Sequence, residues 1–436
     1  MHIQRALIAA TTLVSVGLAP TPAGSVPRSD PPFVAASNDD ATLHVDSAGR
    51  ALFVEPAPNP LRPAATAAAP TGPTTPAVPA LHSRPGAPIT FYIDLDGGSL
   101  AGTGWDPAVP TTEVTGIDND GDPTTFNATE LEWIVLIWAH VAEDYAPFDI
   151  DVTTELPSTA AMHRDSVTDR YFGSTALIVA EVEFVTWCGC GGLAYLGALG
   201  VVGDQNFSQP ALVFTGGGAW NDPKILGESV AHELGHHAGL DHDGIGLQPY
   251  AIGADGWAPI MGLGYGQPLT QWSRGEYLGA TDTSDDYATM RQYGVREMAD
   301  DHGDTRHTAT RLRSDGWLAN GVIAAPDDQD SFSFTTRGGS LRLTVRPVTY
   351  AANLDVRVTI RRFDGTVVAR IDPPMRFVSP TRASGLRVHV ADLQLRPGRY
   401  WIIVDGTGGG SGDTAYSDYG SVGRYAISGR VRPGGA

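Results

Sequence analysis

Lysine and cysteine are almost missing from this 436-residue sequence, which has one lysine, Lys224, and two cysteines, Cys188 and Cys190. Two cysteines cannot build a disulfide framework, so ordinary hydrophobic cores must stabilise the fold. No run of about 18 apolar residues occurs, and this argues against a membrane-spanning helix. Positive charge is also scarce. The formal net charge of −20 argues against a nucleic-acid partner and favours a soluble protein.

The length and the charge distribution together predict two folded domains with extensions. Domains usually contain about 100–200 residues, so this chain is too long to fold around a single compact core. From Asp300 onward the sequence carries 18 Arg against 14 Asp, so the earlier part carries the whole negative excess. We therefore expect a domain boundary near residue 300.

The N-terminal region resembles an export signal followed by a pro-segment. His2 and Arg5 precede an apolar stretch from Ala6 to Ala19, and small residues follow it. This pattern predicts a signal peptide over residues 1–24 and a secreted protein. Residues 25–84 are predicted to form a pro-segment and a linker rich in Pro, Ala and Thr, which cannot bury a core. The short apolar stretch Ala51–Val54 allows two interpretations, one strand of a small prodomain or no regular structure.

Residues 85–299 alternate between strand and helix patterns, which indicates an α/β (α+β) domain with a mostly parallel twisted sheet. Leu193–Leu196, among glycines, is predicted to be an edge strand. A helix capped by Thr129 should run from Glu130 to about Tyr145, and a second should run from Pro223 to Ala238. The other predicted strands are Ile89–Leu95, Phe148–Thr154, Thr175–Ala180 and Ala211–Thr215.

Residues 300–436 show a different pattern, with eight short alternating runs separated by turn residues and no helical pattern between them. Several short strands with regular turns predict an all-β sandwich.

The segment His232-Glu-Leu-Gly-His-His-Ala-Gly-Leu-Asp-His242 carries the chemistry. His232 and His236 lie four residues apart, so on a helix both imidazoles face one metal ion. Gly239 can take the positive φ that ends the helix and brings His242 back as a third ligand. Three imidazoles suit Zn²⁺ and leave a position for water, from which Glu233 can accept a proton. His237 points to another face and is expected to serve solvation or packing.

This segment resembles the zinc signature of the metzincin peptidases. Asp243 after the third His is similar to the reprolysin branch, and Pro259-Ile-Met261-Gly262 resembles the family's Met turn. The resemblance implies zinc at the three histidines, Glu233 as general base and Met261 beneath the site. Tyr265 is a candidate oxyanion or substrate contact, although it lies four residues past the Met instead of two. The resemblance also implies that the strand near Leu193 pairs with extended substrate.

Further segments resemble secreted bacterial proteases and the pre-peptidase C-terminal domain that accompanies them. The segments that resemble secreted bacterial proteases are 82–87 and Gln267–Tyr277. The segments that resemble the pre-peptidase C-terminal domain are Asp300–Asp304, Asp328–Phe334 and Pro397–Val404. The resemblance implies a β-sandwich that aids secretion, stability or substrate attachment.

Many metzincins are kept latent by a prodomain Cys on the zinc, but the N-terminal region has no Cys. An acidic residue such as Asp46 could bind the zinc in place of a Cys. Asp46 could equally be an ordinary solvated side chain with no such role.

Two further motifs allow two interpretations each. Asp118, Asp120 and Asp122 stand at alternate positions, which suits Ca²⁺ and equally suits a polar turn before the helix. Cys188 and Cys190 can form a tight disulfide, or they can remain free or metal-bound thiols.

The sequence therefore predicts an exported, monomeric zinc endopeptidase that acts on internal peptide bonds of proteins, with one catalytic Zn²⁺ and a candidate Ca²⁺ site. Two alternatives remain open. One is a zinc hydrolase of another amide or ester. The other is a secreted binding protein with a vestigial metal site, against which the intact Glu233 argues.

Overall fold

The structure is a computed structural model that describes residues 34–35, 40–58, 74–203, 205–216, 220–313 and 316–433. The predicted signal peptide, residues 1–24, lies outside the described residues. So does the middle of the predicted linker, residues 59–73. The domain boundaries proposed from the sequence stay predictions.

The first part of the chain forms a mixed α/β layer. Its helices are α1 (Ala128–Asp144), α2 (Thr159–Met162), α3 (Val182–Cys188), α4 (Pro223–His237) and α5 (Asp286–Gln292). Its strands are β1 (Val34–Ala35), β2 (Leu43–Val45), β3 (Ala51–Pro56), β4 (Ile89–Asp94), β5 (Gly97–Ser99), β6 (Glu113–Thr115), β7 (Ile150–Thr153), β8 (Phe172–Val179), β9 (Cys190–Tyr195), β10 (Ala211–Phe214), β11 (Trp257–Pro259) and β12 (Leu269–Gln271).

Eight of these strands form one sheet in the order β1-β2-β3-β9-β10-β8-β4-β7. The pairs β10–β8, β8–β4 and β4–β7 are parallel, while β9 runs antiparallel to β10. The prediction of a mostly parallel sheet therefore holds for these five strands. The three N-terminal strands add antiparallel pairings, since β3 pairs antiparallel with β9. Strand β9 is consequently covered, whereas the sequence predicted an edge.

Helices α1 and α4 pack against each other, and α4 also lies on strands β8, β9 and β10. The N-cap of α1 is Asn127, so the prediction of Thr129 was wrong. The Asn127 side chain accepts from the backbone N–H groups of Thr129 and Glu130. The Glu130 side chain accepts in return from the Asn127 N–H, which completes a capping box. Helix α4 begins after Asp222, whose side chain accepts from the Lys224 N–H, with Pro223 in the first turn.

The C-terminal part has the β-sandwich character that the sequence predicts. Its strands are β13 (Thr310–Arg311), β14 (Trp317–Ile323), β15 (Asp330–Thr336), β16 (Gly339–Pro347), β17 (Val356–Arg362), β18 (Val367–Ile371), β19 (Arg376–Ser379), β20 (Arg382–Ser384), β21 (Val388–Leu395), β22 (Gly398–Gly406) and β23 (Gly423–Arg432). A five-stranded sheet β13-β15-β22-β17-β18 and a four-stranded sheet β14-β23-β16-β21 enclose the core. Leu341, Leu343 and Val345 show the alternation, because each is buried between more exposed neighbours.

Polar side chains join the sandwich to the first part of the chain. Glu143 accepts from the Arg424 N–H at 2.9 Å, and Asn353 donates to Asp144 Oδ1 at 2.7 Å. The Tyr416 ring stacks on Trp257 with centroids 5.1 Å apart. The two parts therefore share a buried interface. Among the described residues, none of the helices has the length and apolar character needed to cross a membrane.

Candidate metal centre

Helix α4 presents two imidazoles on one face, and the turn that follows it supplies a third. Gly239 has φ +91°, and the Leu240 N–H donates to the Gly235 carbonyl at 3.0 Å, which is the hydrogen bond of a Schellman cap. The chain then doubles back so that His242 faces His236, with their Nε2 atoms 3.1 Å apart. His232, His236 and His242 are all buried. The structure thus brings together the three predicted ligands.

Each imidazole is oriented through its other nitrogen. His232 Nδ1 lies 2.9 Å from the Ile260 carbonyl, and His236 Nδ1 lies 2.8 Å from the Leu240 carbonyl. His242 Nδ1 lies 3.1 Å from Asp40 Oδ2 and 3.0 Å from the Thr42 hydroxyl. Such outer contacts fix the ring orientation of metal-binding histidines and leave Nε2 free to coordinate.

A carboxylate from strand β3 completes the group. Glu55 Oε1 lies 2.9 Å from His242 Nε2 and 3.2 Å from His236 Nε2, and Oε2 lies 3.6 Å from His232 Nε2. The Tyr250 hydroxyl donates to Glu55 Oε2 at 2.5 Å. Glu55, Tyr250 and Asp40 were not predicted as site residues. The one sequence signal for Glu55 is its place directly after the apolar stretch Ala51–Val54.

This donor set fits a metal ion. The separations between Glu55 and the three histidines, and between His236 and His242, are 2.9 to 3.6 Å. They lie around the separation of about 3.3 Å expected for ligands at 2.0–2.1 Å in a tetrahedron. His232 Nε2 is buried and has no hydrogen-bond partner among the described residues, which a cation would satisfy. Glu55, His232, His236 and His242 could therefore hold a metal ion.

The electrostatics of the four groups follow from burial and mutual contact. Burial lowers the pKa of His236 to about 3, although the hydrogen bond that Glu55 accepts opposes this. Burial also opposes the protonation of His242, but Glu55 and Asp40 outweigh it and raise its pKa to about 9. The imidazoles overcome the burial of Glu55 and hold its pKa well below the ordinary value. A cation bound here requires His242 to lose its proton.

The predicted base, Glu233, lies beside this group and is 1% exposed. Its Oε2 has no hydrogen-bond partner among the described residues, and burial followed by the nearby Glu55 charge raises its pKa well above the ordinary value. A Cβ placed on Gly192 of strand β9 would lie 2.1 Å from Glu233 Oε1, so the strand passes directly over the carboxylate. His232, Glu233 and Tyr265 line one cavity.

Met261 lies under α4, where a Cβ on Gly235 would meet its Sδ at 2.5 Å. The Asp243 N–H donates to the Met261 carbonyl at 2.9 Å, which ties the turn to the residue after the third histidine. His237 is fully buried and lies 2.5 Å from the Ser174 hydroxyl, so it belongs to the core.

Tyr265 faces the cavity but does not reach the histidines with its hydroxyl, which lies 2.9 Å from Ser229 Oγ. Burial raises the pKa of Tyr265 above its ordinary value. The tyrosine in contact with the histidine group is Tyr250, whose ring centroid lies 4.4 Å from that of His242.

The acidic turn before α1 differs in membership from the predicted calcium set. Asp118 and Asp120 come together with Glu130, whereas Asp122 accepts from the backbone and side chain of Thr124. The Asp118 carboxylate accepts from the Asp120 and Gly121 N–H groups, as a polar turn requires. A second acidic group, Asp300, Asp328 and Asp330, lies in the sandwich.

Two further sequence hypotheses concern residues outside the histidine group. Cys188 and Cys190 are joined in a disulfide. Asp46 does not approach the histidines, because it accepts from Ala48 and Arg50 in the turn between β2 and β3. The suggestion that Asp46 blocks the metal was therefore wrong.

No protein-family model matches this chain. No curated protein matches it either. Among solved structures, the pre-peptidase C-terminal domain of collagenase from Bacillus anthracis matches at 14% identity and a TM-score of 0.20, over 28% of this chain and 93% of that one. PliG of Aeromonas hydrophila, a periplasmic inhibitor of g-type lysozyme, matches at 8% identity and a TM-score of 0.17, over 28% of this chain and 96% of that one.

Proposed function

We propose that this protein is a secreted zinc-dependent endopeptidase of the metzincin type. One observation carries the proposal. The Nε2 atoms of His232, His236 and His242 converge in a buried group, and Glu233 lines one cavity together with His232.

The chemistry of the donors favours zinc over harder cations. Three neutral imidazoles with an oxygen in the fourth position form the donor set of catalytic zinc sites, whereas calcium and magnesium prefer all-oxygen sites. When bound, zinc polarises a scissile carbonyl and makes water acidic at neutral pH.

The chain's own residues supply the remaining functions. Glu233, which lines the cavity beside His232, would take a proton from the attacking water and pass it to the leaving amine. Gly192 has no side chain, so Glu233 and an approaching peptide can both lie against strand β9. Met261 supports the helix from below. An extended peptide that pairs with β9 gains backbone hydrogen bonds, which favours a protein or peptide substrate.

The test is hydrolysis of casein by the secreted protein after limited proteolysis with immobilised trypsin, which is then removed. We expect a zinc chelator to abolish hydrolysis and added zinc to restore it. Full activity in a sample that elemental analysis shows to be metal-free would contradict the proposal. The form without the predicted signal peptide should accumulate in the medium, since we also propose export.

A further inference from the structure

We propose that the N-terminal hairpin, residues 40–58, is an autoinhibitory segment in which Glu55 occupies the fourth ligand position of the metal and strand β3 occupies the substrate edge of β9. This inference rests on the metal site proposed above, and it assigns the regulation of that site.

The backbone of the hairpin takes the place that a substrate needs. Strand β3 pairs antiparallel with β9 from Leu52 opposite Tyr195 to Glu55 opposite Gly192. The other edge of β9 is already bonded to β10. A strand has two edges, so a peptide cannot add to β9 while β3 remains there. The pairing extends to Gly192, which lies directly beside Glu233.

Among the described residues, the hydrogen bonds and ion pairs of the Glu55 carboxylate are those with the three histidines and Tyr250. Glu55 is 7% exposed, and its carboxylate contacts the three Nε2 atoms and the Tyr250 hydroxyl. A buried carboxylate is costly unless it is paired or bound to a metal. With zinc held by the three imidazoles, this carboxylate stands where the catalytic water must bind, and it therefore excludes that water.

Four further contacts hold the hairpin on the site. The Phe53 ring stacks on His236 with centroids 4.2 Å apart, and it lies 4.3 Å from the His242 ring. Asp40 and Thr42 approach His242 at Nδ1, whereas Glu55 approaches it at Nε2. Residues on both sides of the hairpin thus contact the same histidine. The hairpin carries out the task that a prodomain cysteine performs in other latent metzincins, and it does so with an oxygen ligand.

The experiment uses the full, unprocessed chain with cobalt in place of zinc, because the visible absorption of Co²⁺ reports its ligands. The variants are Glu55→Gln and Glu55→Ala, with Glu132→Gln, an exposed residue of α1, as the matched control. We expect the parent and the control to share one spectrum and both Glu55 variants to differ from it. Without the contacts of the Glu55 carboxylate, strand β3 should leave β9 more often. We therefore also expect Glu55→Ala to hydrolyse casein without processing, about tenfold or more faster than the parent.

Identical cobalt spectra for the parent and both Glu55 variants would overturn the inference. Failure of every protein, the parent included, to bind cobalt would refute the metal site on which it rests. A spectral change in the Glu55 variants, with no hydrolysis by any form even after processing, would support Glu55 as a ligand and refute the endopeptidase proposal.

A second measurement applies if the variants do not fold. A synthetic peptide of residues 40–58 should inhibit the processed protein and shift its cobalt spectrum. The same peptide with Glu55→Ala should bind about tenfold or more weakly. Equal binding of the two peptides would overturn the role of the carboxylate.

Discussion

Gly192 shows how a single missing side chain shapes this site. A Cβ there would lie 2.1 Å from Glu233 Oε1, whereas the nearest atoms to a Cβ on Gly191 belong to Pro56, Ala57 and Pro58 of the N-terminal hairpin. The two adjacent glycines therefore face different partners.

Replacing Gly192 with Ala should move the carboxylate of Glu233, because the end of a long side chain yields more easily than the strand. In the processed protein, we expect kcat to fall by about tenfold or more with zinc still bound. Gly191→Ala is the control and should leave kcat nearly unchanged once the hairpin is removed. Steady-state kinetics with zinc analysis decides this, and equal kcat values for the two variants would contradict it.

The residues of the histidine motif were predictable because their roles are local. The spacing of His232 and His236, Gly239 at the helix end and the return of His242 all follow from helix geometry. Glu55 was not predictable, since it reaches the group from a distant part of the chain. Tyr250 follows His242 by only eight residues, but it lies in a loop where no helix or strand periodicity directs its side chain. Glu55 lies 181 residues before His236, and no local pattern reports that separation. Asp46 was the acidic residue considered from the sequence, but the register of the hairpin places it in the turn.

At the scale of elements, the end of α4 decides where the third histidine lies. Gly239 has φ +91°, and a Cβ there would lie 1.9 Å from the Tyr293 ring. Gly246 has a similar φ of +62° with nothing within 4 Å of a Cβ. A comparison of Ala substitutions at Gly239 and Gly246 therefore separates the free-energy cost of the backbone conformation from the cost of the contact with Tyr293.

Gly239→Ala should lower the stability by more than the about 1–2 kcal/mol that a left-handed backbone costs a non-glycine residue. It should also weaken zinc binding by displacing His242. Gly246→Ala should show the backbone cost alone, with zinc binding unchanged. Thermal unfolding and zinc titration of both variants test this, and a Gly239→Ala protein that binds zinc like the parent would refute the role of the turn.

The positions of the helices and strands were largely predictable from the sequence. Which strands lie next to each other in the sheet was not. The helix from Pro223 and the strands Ala211–Phe214 and Ile89–Asp94 follow from apolar periodicity and breakers. The cap at Asn127 was missed because both Asn127 and Thr129 are good capping residues. Strand β9 was predicted as an edge from its glycines, and it is covered because β3 comes from a separate region whose pairing no local signal reveals.

At the scale of the whole molecule, the sandwich is attached to the α/β part through buried charges. Glu143 is 1% exposed, and its carboxylate lies 3.3 Å from Arg424 Nε. Burial raises the pKa of Glu143 to about 8, although Arg424 opposes this. The arginine comes from β23 and the glutamate from α1, so the pair connects the two parts.

Arg424→Leu should destabilise the protein by about 1–3 kcal/mol, because it leaves Glu143 without its cation. A carboxyl whose folded pKa is raised costs stability only when it is ionised. The deficit should therefore be small below the ordinary pKa of 4.5 and should grow as the pH rises through about 8. Arg430→Leu, exposed on the same strand, is the control. Unfolding curves at pH 5 and pH 8.5 should show the difference, and a deficit larger at pH 5 would contradict it.

The central claim is that Glu233 acts as the base beside a zinc ion held by His232, His236 and His242. The most direct measurement compares the parent with Glu233→Gln, after processing, for zinc content and casein hydrolysis in the same preparation. The account predicts one zinc per chain in both proteins and hydrolysis by the parent alone. Hydrolysis by the variant at the rate of the parent, with zinc bound in both, would contradict it.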